Sequence, residues 1–149
     1  MSTHERRSTL EKQIQRDIEA DLGAEPDLLL LRNSVGQARY VNEEDGKEFF
    51  VPYGLGTGSP DLVSMLRVDL VKRGTVPGTT ERPSRGSLAR GRGSVGVWFC
   101  LEVKCPGEDA TPEQEKVHAI WRRFGAIVEV VHSVVEARDA LNRARRFES

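Results

Sequence analysis

The run Val97-Trp98-Phe99-Cys100-Leu101-Glu102-Val103-Lys104-Cys105 constrains this chain more than any other stretch. Trp98, Phe99, Leu101 and Val103 belong in a buried strand, where β-branched and aromatic side chains pack well. Glu102 and Lys104 do not, unless each finds a partner, because burying a lone charge costs several kcal/mol. Side chains alternate across a strand, so these two residues share a face. The plain reading is a Glu-x-Lys pair on the wet face of a half-buried strand. The sharper reading is a strand that carries an acid and an amine together to the edge of a core.

A second strand supplies what the first lacks. Gly58-Ser59-Pro60-Asp61-Leu62-Val63 ends a glycine-rich turn and opens an apolar run, with Asp61 at its first residue. If the two strands are neighbours, Asp61 and Glu102 converge on one point. Oxygen ligands without a His or Cys cluster suit Mg²⁺ or Mn²⁺ rather than zinc. Such an ion would polarise a phosphate and lower the pKa of a water. Lys104, beside two acids, should stay protonated and stabilise charge.

A Pro-Asp before one strand and a Glu-x-Lys on a later one resembles the PD-(D/E)XK nuclease superfamily, and within it the virus-type replication-repair nuclease (VRR-NUC) family. Glu11 in an N-terminal helix, the turn Arg32-Asn33-Ser34-Val35-Gly36, and Thr111-Pro112-Glu113-Gln114 opening a later helix fit the same pattern. The resemblance runs from Leu10 to Ala140, most of the chain. It implies an α/β fold, a mixed sheet flanked by helices in the order α-β-β-β-α-β with a C-terminal helix. It implies a Mg²⁺- or Mn²⁺-dependent DNA endonuclease, with Asp61, Glu102, Lys104, Gln114 and Glu11 catalytic. Asp61, Glu102, the Val103 carbonyl and Glu11 would be metal ligands. Small stand-alone members suggest a homodimer cutting branched DNA such as four-way junctions, in a bacterial or phage-infected cytoplasm. Nuclease action on linear or flap DNA, and a non-catalytic nucleic-acid-binding module of this fold, are the alternatives.

The chain of 149 residues is one domain's worth. Its net charge of −1 gives no global sign of a nucleic-acid binder, so phosphate must be met by local patches and metal. Neither a membrane span nor a secretory leader is expected. Cys100 and Cys105 read as buried thiols, poorly placed to bridge each other.

Taken in order, residues 1–7 should fray. Ser8 and Glu11 match a capping box for a helix with Leu10, Ile14, Ile18 and Leu22 inward and Gly23 as its stop. A capping glutamate needs no catalytic explanation, so Glu11 has two readings, with Glu19 in reserve. Leu28–Leu31 reads as a strand and residues 32–37 as a turn. Tyr40-Val41 and Phe49-Phe50-Val51 should form a hairpin around Asp45-Gly46. Arg32 either touches phosphate or solvates the turn; Asn33 and Ser34 read as turn formers placed by the resemblance near the site mouth, with Ser34, like Arg32, a candidate DNA contact. Gly54-Leu55-Gly56-Thr57-Gly58 is not a phosphate loop, since it leads into a strand and lacks Gly-Lys-Ser/Thr, so no nucleotide cofactor is expected. Its glycines should allow close backbone approach to a neighbouring strand or to DNA.

Residues 72–96 break the composition. Lys72, Arg73, Arg82, Arg85, Arg90 and Arg92 face only Glu81, a net +5. Against the family pattern this is a flexible insertion, either a solvated loop or a basic flap that grips the phosphate backbone. Thr111 should cap a helix with Gln114 at the box position and Val117, Ile120, Trp121 and Phe124 inward. Gln114 thus also has two readings, cap or catalytic amide. Ile127–Val131 should be the last strand, followed by a helix capped at Ser133 with Val134, Ala137, Leu141 and Ala144 inward and Arg138, Arg143, Arg145 and Arg146 on a solvated outer side. His118 and His132 lack ligand spacing and read as surface or helix-end residues.

Overall fold

Two strands carry apolar side chains on both faces, and the fold is built to cover both. In a computed structural model, which describes residues 3–70 and 93–146, the chain runs α1 (Thr3–Leu22), β1 (Leu28–Arg32), β2 (Gly36–Val41), β3 (Glu48–Tyr53), β4 (Leu62–Leu70), β5 (Gly93–Val103), α2 (Pro112–Arg123), β6 (Ile127–Val131) and α3 (Val134–Arg146). A four-stranded mixed sheet has the order β1-β4-β5-β6. The first two pairings are antiparallel; β5 and β6 are parallel, with α2 as their crossover. The fold class is therefore α/β, a mixed sheet flanked by helices, as the sequence reading expects.

The central strands β4 and β5 divide their side chains between two layers. Leu62, Leu66 and Val68 with Phe99, Leu101 and Val103 pack under Ile18 and Leu22 of α1 and Ala137, Ala140, Leu141 and Ala144 of α3. Val63 and Cys100 turn the other way, toward Ala126, Val128 and the α2 residue Trp121. Trp121 meets Trp98 edge to face, with centroids 6.2 Å apart. The opposite face of β5 thus looks at α2, and there Glu102 is fully buried.

Several local expectations need correction. Helix α1 starts at Thr3, so residues 3–7 are helical rather than frayed. Nothing in Glu5-Arg6-Arg7 interrupts a helix, Glu5 suits its positive end, and the Thr9 hydroxyl donates back to the Glu5 carbonyl. Ser8 and Glu11 are consequently mid-helix, and their capping box does not form. Leu10 is 47% exposed, because the inward stripe begins only at Ile14. Strand β1 includes Arg32, and Gly93–Gly96 pair with Arg67–Leu70 as part of β5 instead of belonging to the insertion. On α2, Ile120 and Phe124 face outward, Phe124 being 83% exposed, while His118 is fully buried. Arg138 and Arg145 of α3 do not merely solvate its outer side, since they bond to acids of the α1–β1 connection.

The other boundaries hold. Gly23 N–H closes α1 on the Glu19 carbonyl, and Thr111 and Ser133 accept N–H bonds at the starts of α2 and α3. Both cysteines are free and buried. The hairpin β2–β3 forms around Gly46, longer than expected, with Tyr40 stacked on Phe49 at 5.4 Å. Its aromatic residues remain about half exposed. Lys72, Arg73, Arg82, Arg85, Arg90 and Arg92 lie outside the described residues. Among the described residues no helix is long and apolar enough to cross a membrane.

Candidate active site

Strand register brings the acids together. Leu62 pairs with Leu101, and one further step along that antiparallel ladder sets Asp61 opposite Glu102. The Val103 N–H donates to Asp61 Oδ2 at 2.9 Å, so β5 itself fixes the orientation of the carboxylate on β4's threshold. Asn33 secures the same corner. Its backbone N–H donates to the Asp61 carbonyl, its side-chain amide donates to the Pro60 carbonyl, and its Oδ1 accepts from Leu55 N–H. Asn33 is thus a fastener between the β1 end, the glycine loop and Asp61, more than a turn former.

Glu102 and Lys104 share a face as their spacing requires. Lys104 Nζ lies 2.7 Å from Glu102 Oε1 and 3.6 Å from Glu11 Oε1. The Glu102 side chain is 1% exposed and that of Lys104 13%. With its cap role void, Glu11 projects from the middle of α1 into this group. Glu19, the reserve, instead faces Arg32 at 3.8 Å.

Gln114 makes the cap and also reaches the acid on β5. Its Oε1 accepts from Thr111 N–H, completing the capping box, while its Nε2 donates to Glu102 Oε1. One amide therefore registers the start of α2 against the acid on β5. One turn later, His118 directs Nε2 toward Glu102 Oε2 at 3.4 Å, without hydrogen-bond alignment. Sequence reading missed this residue; the available signal was its i+4 spacing from Gln114, which puts both on one helix face.

The electrostatics follow from crowding. Burial, then the Asp61 charge, push the Glu102 carboxyl up to about 7, against the pull of Lys104. Burial also raises Asp61, offset partly by the Val103 N–H and Lys104. Glu11 is raised by burial as well, with Lys104 opposing. Burial pulls Lys104 down, but Glu102, Glu11 and Asp61 outweigh it and hold the ammonium above its ordinary value. Burial lowers His118, favouring the neutral ring. Three acids around one ammonium leave the cluster short of positive charge.

Asp61 borders two openings. A groove of about 870 Å³ runs between the hairpin and the glycine loop and reaches Asp61 and Gln114. A smaller cleft of about 240 Å³ on the α1 side is lined by Glu11, Lys12, Gln15, Arg32 and Asp61. Lys12 was not singled out in the sequence. Ser34 is exposed and does not line the groove. Gly54 and Gly58 make close approaches within the chain, while Gly56 faces open space. A Cβ on Gly54, whose φ is +85°, would lie 2.4 Å from the Ser34 carbonyl oxygen, and one on Gly58 would crowd Val117 of α2.

Among the described residues no group of three or more His, Cys, Asp and Glu side chains is gathered in metal-ligating geometry. Asp61 and Glu102 do supply hard oxygen donors, and Glu102 Oε2 is buried without a hydrogen-bond partner. Two carboxylates completed by water and substrate phosphate are an ordinary Mg²⁺ donor set, so the residues fit such an ion. Compared with known protein families, characterised proteins and solved structures, the chain matched none.

Proposed function

We infer that this protein is a metal-dependent deoxyribonuclease of the PD-(D/E)XK kind that hydrolyses phosphodiester bonds. The observation carrying that reading is Glu102: a buried carboxylate beside Asp61, held by Lys104 and Gln114, in a cluster deficient in positive charge. The acids of this cluster are raised by burial and by one another, which a further cation would relieve.

Asp61 and Glu102 would hold Mg²⁺ or Mn²⁺, with Glu11 and the Val103 carbonyl as further oxygen donors. The ion, when bound, supplies Lewis-acid polarisation of the phosphate and makes water a better nucleophile. The chain's own groups supply the rest. Lys104 carries a fixed positive charge where negative charge grows on the phosphoryl oxygens, and its three acid neighbours keep it protonated. Gln114 fixes the Glu102 carboxylate, and the Val103 N–H fixes Asp61. The groove between hairpin and glycine loop offers a path for a strand to Asp61, and Arg32 with Lys12 lines the second opening, where a neighbouring phosphate would need a cation.

Preference for branched DNA and action as a homodimer rest on the resemblance to VRR-NUC enzymes. A dimer would set two sites at a fixed span, as paired nicking requires. The test is cleavage of matched four-way-junction, flap and linear duplex DNA with Mg²⁺, Mn²⁺ or chelator, beside Glu102→Ala. Metal-dependent junction cutting, lost in the variant, is the expected result. Equal cutting of linear duplex would remove the junction preference, and tight binding without cutting under either metal would make the chain a binding module.

A further inference from the structure

One buried contact is left unfinished by the groups named so far. Glu102 Oε1 is occupied twice, by Lys104 and by Gln114, whereas Glu102 Oε2 has no hydrogen-bond partner. The His118 ring is 0% exposed, and neither of its nitrogens has a hydrogen-bond partner. Buried polar atoms are almost always paired, and leaving them unpaired costs free energy. Here the unpaired atoms face each other, with His118 Nε2 3.4 Å from Glu102 Oε2, and the far nitrogen, Nδ1, lies 3.7 Å from Glu115 Oε1. A small rotation of the ring or the carboxylate would complete the bond.

The helix makes this arrangement specific. Gln114 and His118 stand four residues apart on α2 and so project from adjacent turns of one face. The lower turn gives an amide to Oε1; the upper turn brings an imidazole nitrogen to 3.4 Å from Oε2. Thr111, Pro112 and the capping box set the start of that helix, and Gly58 packs against Val117 to keep it near the Asp61 corner. A leucine would fill the His118 position with less polar cost, so packing alone does not explain a histidine there.

We propose that His118 is a positioning residue for Glu102, its imidazole gripping Oε2 so that the carboxylate is held at both oxygens by α2. The inference rests on the reading of Glu102 as a metal ligand. Groups that orient a ligating carboxylate act through it, and losing one typically weakens metal affinity or activity 10- to 100-fold. His118 would touch neither the metal nor the DNA.

The experiment is Mn²⁺ binding without DNA, counting free Mn²⁺ by electron paramagnetic resonance, for the full chain and for His118→Leu, His118→Gln and Glu102→Ala. Circular dichroism and thermal unfolding in chelator accompany each. His118→Leu should bind Mn²⁺ about 10-fold or more weakly. His118→Gln, whose amide N–H can replace Nε2–H, should stay within about threefold of the parent. If the leucine variant does not fold, His118→Asn, whose amide stops short of Oε2, takes its place with the same expected loss. Mn²⁺ affinity unchanged in His118→Leu would overturn the positioning role, as would equal weakening in the leucine and glutamine variants, which points to packing. A parent protein that binds Mn²⁺ no better than Glu102→Ala would overturn the nuclease reading itself, and this inference with it.

Discussion

Two clusters of acids and bases in this protein are made of the same residue types and behave in opposite ways. At the α1–β1 connection, Arg138 bonds Asp21 and Glu25, and Arg145 bonds Glu25 and Asp27 through several short contacts. Hydrogen bonds from Arg145 and then Arg138 hold Glu25 below the usual carboxylate range; those from Arg145 do the same for Asp27. Across the sheet, Glu102, Asp61 and Glu11 are all pushed up, with burial as the first cause of each. The clamp is half-buried, and two guanidiniums answer three acids through several charge-assisted bonds. The site is buried, and one ammonium answers three acids. The clamp lowers its acids by direct hydrogen bonds, while the site leaves its three acids raised. Carboxyls raised together by burial beside a cleft are what makes this cluster, and not the clamp, the candidate site.

The sharpest way to break the comparison is to remove the ammonium that touches Glu102. Lys104→Met keeps the aliphatic stem and deletes the charge 2.7 Å from Glu102. Cleavage should fall about 10²- to 10³-fold, the scale of losing one preorganised stabilising group. Single-turnover rates at saturating DNA read this directly, and a variant retaining more than a tenth of the parent rate would exclude Lys104 from charge stabilisation.

Stability without metal gives the next largest effect. A carboxylate whose folded value rises from 4.5 to about 7 binds its proton more tightly in the folded state. It therefore favours folding at low pH and loses that contribution as pH rises through about 7, a change on the order of 3 kcal/mol. In chelator, the parent protein should lose thermal stability between about pH 5 and 8. Glu102→Gln, neutral throughout, should flatten this slope and melt higher at pH 8. A parent that gains stability over this interval would contradict the strained state assigned to Glu102.

Gln114→Leu separates local structure from site. It removes half of the capping box and the amide that reaches Glu102. Stability should fall by roughly 0.5–1 kcal/mol, and the cleavage rate by about 10-fold, as for loss of a group orienting a ligand. A Thr111→Ala variant, which injures the cap alone, should reproduce the first change without the second.

Much of this was legible from residue order. The alternation Phe99, Leu101, Val103 against Cys100, Glu102 announced a strand covered on both sides, and Glu102 with Lys104 two apart had to share a face. Asp61 could be placed opposite only by supposing that β4 and β5 are neighbours, which local sequence does not state. Helix starts were legible where a proline and an oxygen cap coincide, as at Thr111, and misleading at Ser8, where an equally good motif lies inside a longer helix. The inward face of α2 was misread because hydrophobicity ranked Phe124 above His118. Burial went to the histidine because Glu102 lies beneath that turn, a tertiary fact with no local signature. The arginines of α3 were misread for the same reason, since Asp21, Glu25 and Asp27 are more than a hundred residues away in the chain.

Those arginines offer the smallest effect and the cleanest counterpart to the site. Arg145→Met should cost roughly 1 kcal/mol at neutral pH, given its partial exposure, or about 2–4 °C in melting temperature for a chain of this size. Asp27, whose carboxyl is held low, contributes stability that is present above its ordinary value near 3.8 and is lost as pH falls through its folded value. The gap between parent and Arg145→Met should therefore be full at pH 7 and close as the pH is lowered below about 4. Glu102 predicts the reverse trend across the neutral range, so one protein should show two opposed pH dependences, each removable by its own substitution. Mn²⁺ affinity and cleavage should stay within about threefold of the parent in Arg145→Met, because the ion pairs of the clamp join Asp21, Glu25 and Asp27 and none of them includes Glu102, Asp61 or Lys104. A larger change in either, or a melting gap that persists in acid, would mean that the clamp and the site are one cooperative unit and that the contrast between them is not real.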